Sequence, residues 1–317
     1  MRKLISLLKR GALIAGVALY CSALYAESNS RSEPEATETW EQSLISDNIA
    51  ISQWFDGIAE GIDLFLAGKK MTSRRNKSRL VIEPSFYYSE KDGYSDATAF
   101  SINLQLPNVE EYWQVTFSNY DETKERGVSN SYLRQTAREK DYGATFGFFR
   151  KLGNIRASFQ PRIGFSGTPK ISHALIFESV AEKKGYRVNP KLEFYADADK
   201  GTGVFQALNF NIQLTKKVGL TFVNEGDYED RTHLFTVTNG VALGQWLTPT
   251  MSLSYNIFVT SINQPNYQLQ EYVFSVIWSH ILYKNILDYQ LIPHLDFHQD
   301  QGFAGNPGVI WNFFIRF

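Results

Sequence analysis

The 317-residue chain sets 32 Lys and Arg against 33 Asp and Glu, a formal net charge of −1, and has a single cysteine. That balance gives no basic surface for nucleic acid, and one cysteine excludes a disulfide framework. Aromatic residues make up 15% of the chain, so a large apolar surface has to be placed somewhere.

Residues 1–26 read as a secretory signal peptide. Arg2, Lys3, Lys9 and Arg10 precede an uncharged apolar stretch from Gly11, and small residues surround Ala23 and Ala26. Cys21 raises lipidation as an alternative, but Tyr20 before it is a poor match to the small residue such sites use. Loss of this leader removes four basic groups and the only cysteine, leaving a more acidic, exported chain.

Residues 27–41 form an acidic, Ser/Glu/Thr-rich stretch that reads as a disordered linker. Residues 42–70 follow, with Ile51, Trp54, Phe55, Ile58, Ile62 and Phe65 at three-and-four spacing. An amphipathic periplasmic helix is expected there, closed near Gly68, with a periplasmic partner as a candidate for its apolar face.

From Ser78 the apolar period changes to two and stays there. Leu80, Ile82, Pro84, Phe86 and Tyr88 alternate with Arg79, Val81, Glu83, Ser85 and Tyr87, and the pattern recurs to the last residue. Fourteen strands are expected over 78–317, with twelve as the alternative, each about 9 to 13 residues, enough for a tilted strand to cross a bilayer. Ile171 to Glu182 is the weakest of them. Large apolar side chains flank inward charges, which is the arrangement of a transmembrane antiparallel up-and-down β-barrel, an all-β fold. Short connections recur at every second junction, on the side expected to face the periplasm. Asp121 to Lys140 is the only long connection on the other side. Trp113, Trp246 and Trp278 fall near the short junctions, where an interfacial belt belongs.

The closing strand, with Trp311, Phe313, Ile315 and Phe317 on one face, resembles that of Gram-negative outer-membrane β-barrel proteins. The resemblance in architecture covers Ser78 to Phe317. It implies residence in the outer membrane among lipid and lipopolysaccharide, and it makes the last strand an assembly signal read by the barrel-assembly machinery. It does not name an activity.

The inward face supplies the candidate lumen residues: Arg156, Arg162, Arg187, Lys191, Glu225, Asp288, His294, Asp296, His298 and Arg316. Basic groups on strands five and seven stand across from acidic groups on strand thirteen. Facing walls would set up a transverse field, and local pairing would cancel it. His294, Asp296 and His298 share a face, but alternate strand positions four residues apart lie roughly 13 Å from each other, too far for both imidazoles to hold one ion. No Gly-x-Ser-x-Gly, metal-protease or phospholipase-type motif is present, and no cofactor is expected. The expected function is a narrow or gated pore or transporter for small polar or amphipathic solutes. The alternative is a non-catalytic anchor presenting its periplasmic helix; a barrel enzyme is the third reading.

Overall fold

The computed structural model describes Gln42, residues 45–53, Asp56, residues 78–105, 113–134 and 136–317. Two compact units divide the chain, Met1–Ser46 and Asp47–Phe317, and the barrel lies in the second. The leader and linker expected at 1–41 fall outside the described residues, as do Trp54, Phe55, Ile58, Ile62 and Phe65. Helix α1 covers residues 45–53, where Ile45, Asn48, Ile51 and Ser52 are half-buried on one face while Ile49 and Gln53 are exposed.

The described strands are β1 (Arg79–Ser89), β2 (Gly93–Gln105), β3 (Trp113–Tyr120), β4 (Lys140–Leu152), β5 (Ile155–Gly164) and β6 (Lys170–Ser179, resumed at Ala181–Lys183 past Val180). They continue as β7 (Tyr186–Asp197), β8 (Gly201–Gln213), β9 (Val218–Glu229), β10 (Leu234–Trp246), β11 (Met251–Ile262), β12 (Gln268–Tyr283), β13 (Leu287–His298) and β14 (Asn306–Arg316). Each pairs antiparallel with its sequence neighbours. β14 closes the ring on β1, from Val81↔Arg316 to Ser89↔Gly308. The result is a closed 14-strand antiparallel barrel, with no open edge among the described strands.

Strand lengths run from 8 residues in β3 to 16 in β12, a wider spread than expected. The weak segment is a strand, pairing with β7 from His173↔Ala196 to Glu178↔Lys191. β2 starts at Gly93, ahead of the apolar alternation that begins at Phe100, because the ladder with β1 persists to Ser89↔Gly93. Above a hydrocarbon band, outward side chains need not be apolar for the backbone bonds to form.

Side-chain parity is that of a membrane-spanning barrel. On β13, Ile292, His294 and Asp296 are buried inward, whereas Leu295 is exposed outward. On β5, Ser158 and Arg162 are buried and Phe159 is exposed. Phe194, Ile257, Phe274 and Trp311 add to the exposed apolar exterior. No helix among the described residues is long and apolar enough to cross a membrane.

Both chain ends of the barrel lie at one rim, called here the terminal end. Phe317 N–H donates to the Leu80 carbonyl at 2.9 Å, and Leu80 N–H to the Phe317 carbonyl at 3.2 Å. Trp113 opens β3 and Trp246 closes β10 at this rim; Trp278 lies further up β12. The Asn48 amide of α1 also reaches it, donating to the Arg316 carbonyl at 2.6 Å.

Candidate functional site

The long connection at the distal end, residues 121–139, does not stand out in solvent. It folds into the barrel and crosses it. At its root, Arg162 is 1% exposed. Its Nε lies 3.2 Å from Asp121 Oδ1, and its Nη2 donates to the carbonyls of Tyr120 and Asp141. Arg162 thus faces inward, where it anchors the loop.

The middle of the loop is held on two opposite walls. Towards β1, Arg134 and Arg138 each donate to Glu83, and both also donate to Glu125. Burial opposes a charged Arg138, but its hydrogen bonds to Glu125 and Glu83 more than offset this and hold its pKa above the ordinary arginine value. The short helix α2 (Asn130–Leu133) sets Tyr132 on Phe258 of β11, with ring centroids 4.9 Å apart. Tyr132 and Ala137 pack on an inward apolar patch of Tyr87, Ile277, Ile292 and Ile310.

On the opposite wall, Glu225 of β9 is 3% exposed. It accepts from Val128 N–H at 2.9 Å, Ser129 N–H at 3.2 Å, the Ser129 hydroxyl at 2.5 Å and Asn209 Nδ2 at 3.1 Å. A buried carboxylate with four donors is satisfied, and it fixes the loop backbone. The loop's Arg126 lies 3.1 Å from Glu193 of β7 and 3.7 Å from Asp227 of β9, with its guanidinium 3.6 Å above the Tyr195 ring. Lys191 lies 2.9 Å from Glu193 and donates to the Arg126 carbonyl at 2.7 Å.

Two spaces border the loop, both against the β4–β9 wall. The distal one, about 200 Å³, is bordered by Glu122, Glu125, Gln160 and Glu193. Burial pushes the Glu122 carboxyl above its ordinary range, against the pull of the Ser118 hydroxyl and Arg162. The terminal-side space, about 490 Å³, is bordered by Lys151, Arg156, Asn189 and Glu225. Arg126, Lys191 and Glu178 border both, so the two spaces meet at the Arg126–Glu193–Lys191 cluster.

The remaining inward candidates are locally paired. Arg156 stands 3.2 Å from Glu178 and over the Phe149 ring. Arg187 stands 3.0 Å from Glu182, and Arg316 is paired with Asp288. Asp296, fully buried, takes hydrogen bonds at 3.0 Å from both His294 Nδ1 and His298 Nε2, and at 3.1 Å from Asn306. Arg156, Arg187 and Arg316 each have a carboxylate within about 4 Å, which largely cancels the transverse field that facing charged walls would set up. The two histidines close on one carboxylate between them. No group of three ligating side chains suited to a metal occurs among the described residues.

Ser275 is the cross-strand neighbour of His294, which raises a nucleophile and base arrangement. The imidazole turns away, however: its Cε1 and Nε2 lie against Gly308 on β14. The Ser275 hydroxyl instead accepts from Asn256 at 3.2 Å. Catalysis needs the base within hydrogen-bond reach of the nucleophile.

Sequence reasoning missed the latch formed by Arg126, Arg134, Arg138, Glu83 and Asp227. The available signal was composition. A solvated loop rarely carries Val128, Tyr132 and Leu133 among three arginines, and inward Glu83 had no basic residue two positions away on its own face.

No protein-family model and no curated protein matches the chain. Among solved structures it is similar to the outer-membrane expressed OmpT of Vibrio cholerae, with TM-score 0.47 and 6% identity over 78% of this chain and 100% of that one. It is similar also to the outer membrane channel DcaP of Acinetobacter baumannii, with TM-score 0.47 and 8% identity over 78% and 99%. Alignment with Salmonella typhi OmpF in complex with daunomycin gives TM-score 0.48 and 7% identity over 77% and 98%. At these identities activity has to be read from the chain's own residues.

Proposed function

We propose that this outer-membrane barrel is a non-catalytic, narrow pore for small polar solutes, constricted by its own loop at the Arg126–Glu193–Lys191 cluster. The observation that carries the reading is the loop latched across the lumen, with spaces of about 200 and 490 Å³ meeting at that cluster. A barrel serving only as an anchor has no need of such a crossing. In this reading the terminal end faces the periplasm and the distal end the exterior. Solute size is set by the loop, and charge preference by the acidic groups outside and the basic groups inside the cluster.

The test is planar-bilayer recording of the full mature chain beside Arg126→Ala. The wild type is expected to conduct weakly, and Arg126→Ala to conduct more and to favour cations, having lost the guanidinium at the narrow point. If both variants are folded and neither conducts, the pore reading falls and the anchor reading takes its place. The contacts of Asn48 with Arg316 and of Asp56 with Ser78 N–H favour that second reading to this extent: they tie the segment before the barrel to its rim, where residues 42–70 could meet a periplasmic partner.

A further inference from the structure

The exterior of the barrel carries a polar patch that a lipid-facing surface does not explain. Gln206 on β8, Asn224 on β9 and Asn239 on β10 all face outward and are exposed. Asn224 and Asn239 are direct cross-strand partners. Gln206 is paired with Gly226, and its amide nitrogen lies over that glycine, next to Asn224. Each stands near the middle of its strand, the level at which Phe194, Ile257, Phe274 and Trp311 face outward elsewhere. Among the described residues no other Asn or Gln faces outward at mid-strand, and these three side chains have no hydrogen-bond partner within the chain.

Hydrocarbon offers no donor or acceptor, so three free carboxamides at mid-membrane are left unsatisfied by lipid. A carboxamide is its own complement, since each carries both a donor and an acceptor. Two copies inserted in the same direction, and related by a two-fold axis along the membrane normal, bring the same patch together at the same depth. The surface is also shaped for contact. A shallow recess of about 520 Å³ lies over Asn224 and Asn239, rimmed by Phe210, Phe222, Val241 and Ile257. These side chains would interlock around the amides and keep lipid out, as a rim does around a polar contact.

We infer that the outward faces of β8, β9 and β10 form an isologous dimer interface with a second copy of this chain, joined by amide–amide hydrogen bonds at mid-membrane. The inference stands apart from the pore reading, because each barrel keeps its own lumen and loop.

The test uses the full mature chain reconstituted alone in phospholipid vesicles. The barrel contains no cysteine, so Asn224→Cys and Asn239→Cys each place one thiol at the patch. Phe159→Cys places one on the exposed outward face of β5 at mid-strand, four strands from β9. On oxidation the two patch variants are expected to give a disulfide-linked dimer severalfold more efficiently than Phe159→Cys. The triple variant Q206L/N224L/N239L is expected to remain heat-modifiable, hence folded, while its mass by light scattering falls from two barrels to one. Equal cross-linking at both faces, a one-barrel mass for the unaltered chain, or a triple variant that stays dimeric would each overturn the inference. Should the triple variant fail to fold, the comparison of cysteine variants decides.

Discussion

At the scale of single residues, the loop depends on groups with no room to move. A Cβ on Gly127 would come within 2.0 Å of Glu225 Oε2 and 3.0 Å of the Phe205 ring. Glu225 cannot swing aside without giving up the donors that hold Val128 and Ser129. Gly127→Ala is therefore expected to cost about 1 to 3 kcal/mol, as overpacking does, and to raise single-channel conductance by loosening the loop. Urea unfolding in micelles and bilayer recording check the two halves of that expectation. Arg162 is a stronger case, because its removal strands Asp121 and Asp141 and empties two backbone carbonyls. Arg162→Met should cost on the order of 3 to 5 kcal/mol, the range for breaking a buried pair from one side. Glu122 gives a pH effect. Its carboxyl holds a proton to higher pH than an ordinary glutamate, so acidification neutralises it before its exposed neighbours. Any preference for cations at the distal entrance should therefore weaken as pH falls through that raised value. In Glu122→Gln the early part of that change should be absent from the reversal potential.

At the scale of elements, what matters is which face of a strand meets lipid. Phe274 on β12 is exposed and outward, while Gln160 on β5 borders the distal space inside. Arginine at Phe274 is expected to destabilise the barrel by about 2 to 4 kcal/mol, against less than about 1 kcal/mol at Gln160. Unfolding in lipid vesicles measures both, and equal losses would put the parity of β5 or β12 in error. Not every inward position is forgiving, however. Ser275 and Phe258 face the lumen but lie on the β11–β14 wall that the loop covers, so each is buried. The loop thus makes two kinds of inward face: packed wall on one side, polar spaces on the other.

For the whole molecule, closure is the decisive event, and β14 makes it. Its seam with β1 runs to Phe317, whose backbone exchanges two hydrogen bonds with Leu80, while Phe313 meets Phe86 edge-on at 6.4 Å. If Trp311, Phe313, Ile315 and Phe317 are read by the assembly machinery before insertion, deletion of Phe317 should lower the cellular yield of heat-modifiable barrel sharply. Its unfolding midpoint in micelles should fall only slightly, since one rim side chain contributes at most roughly 1.5 to 3 kcal/mol of burial. A midpoint falling in step with yield would assign Phe317 a purely structural role.

The sequence by itself determined the wall. A period of two is a local property: each residue's face follows from its neighbours, so the alternation around Leu295 or Phe159 declares lipid and lumen sides without knowledge of partners. The strand count, the closing strand and the inward direction of Arg156, Arg162, Lys191, Glu225 and Asp296 were legible for that reason. Only the tertiary structure decided what the inward charges do. Glu83 meets Arg134, and Glu225 meets Val128 and Ser129, across sequence gaps of 51 residues and of 97 and 96. No local period records such contacts. The loop that makes them has neither a strand's alternation nor a helix's stripe, and its inward course is set by carboxylates and an apolar patch that come together only once the ring has closed. The outward amides are a similar case: Gln206, Asn224 and Asn239 each look like an unremarkable polar residue in its own strand, and ladder register alone gathers them into one patch.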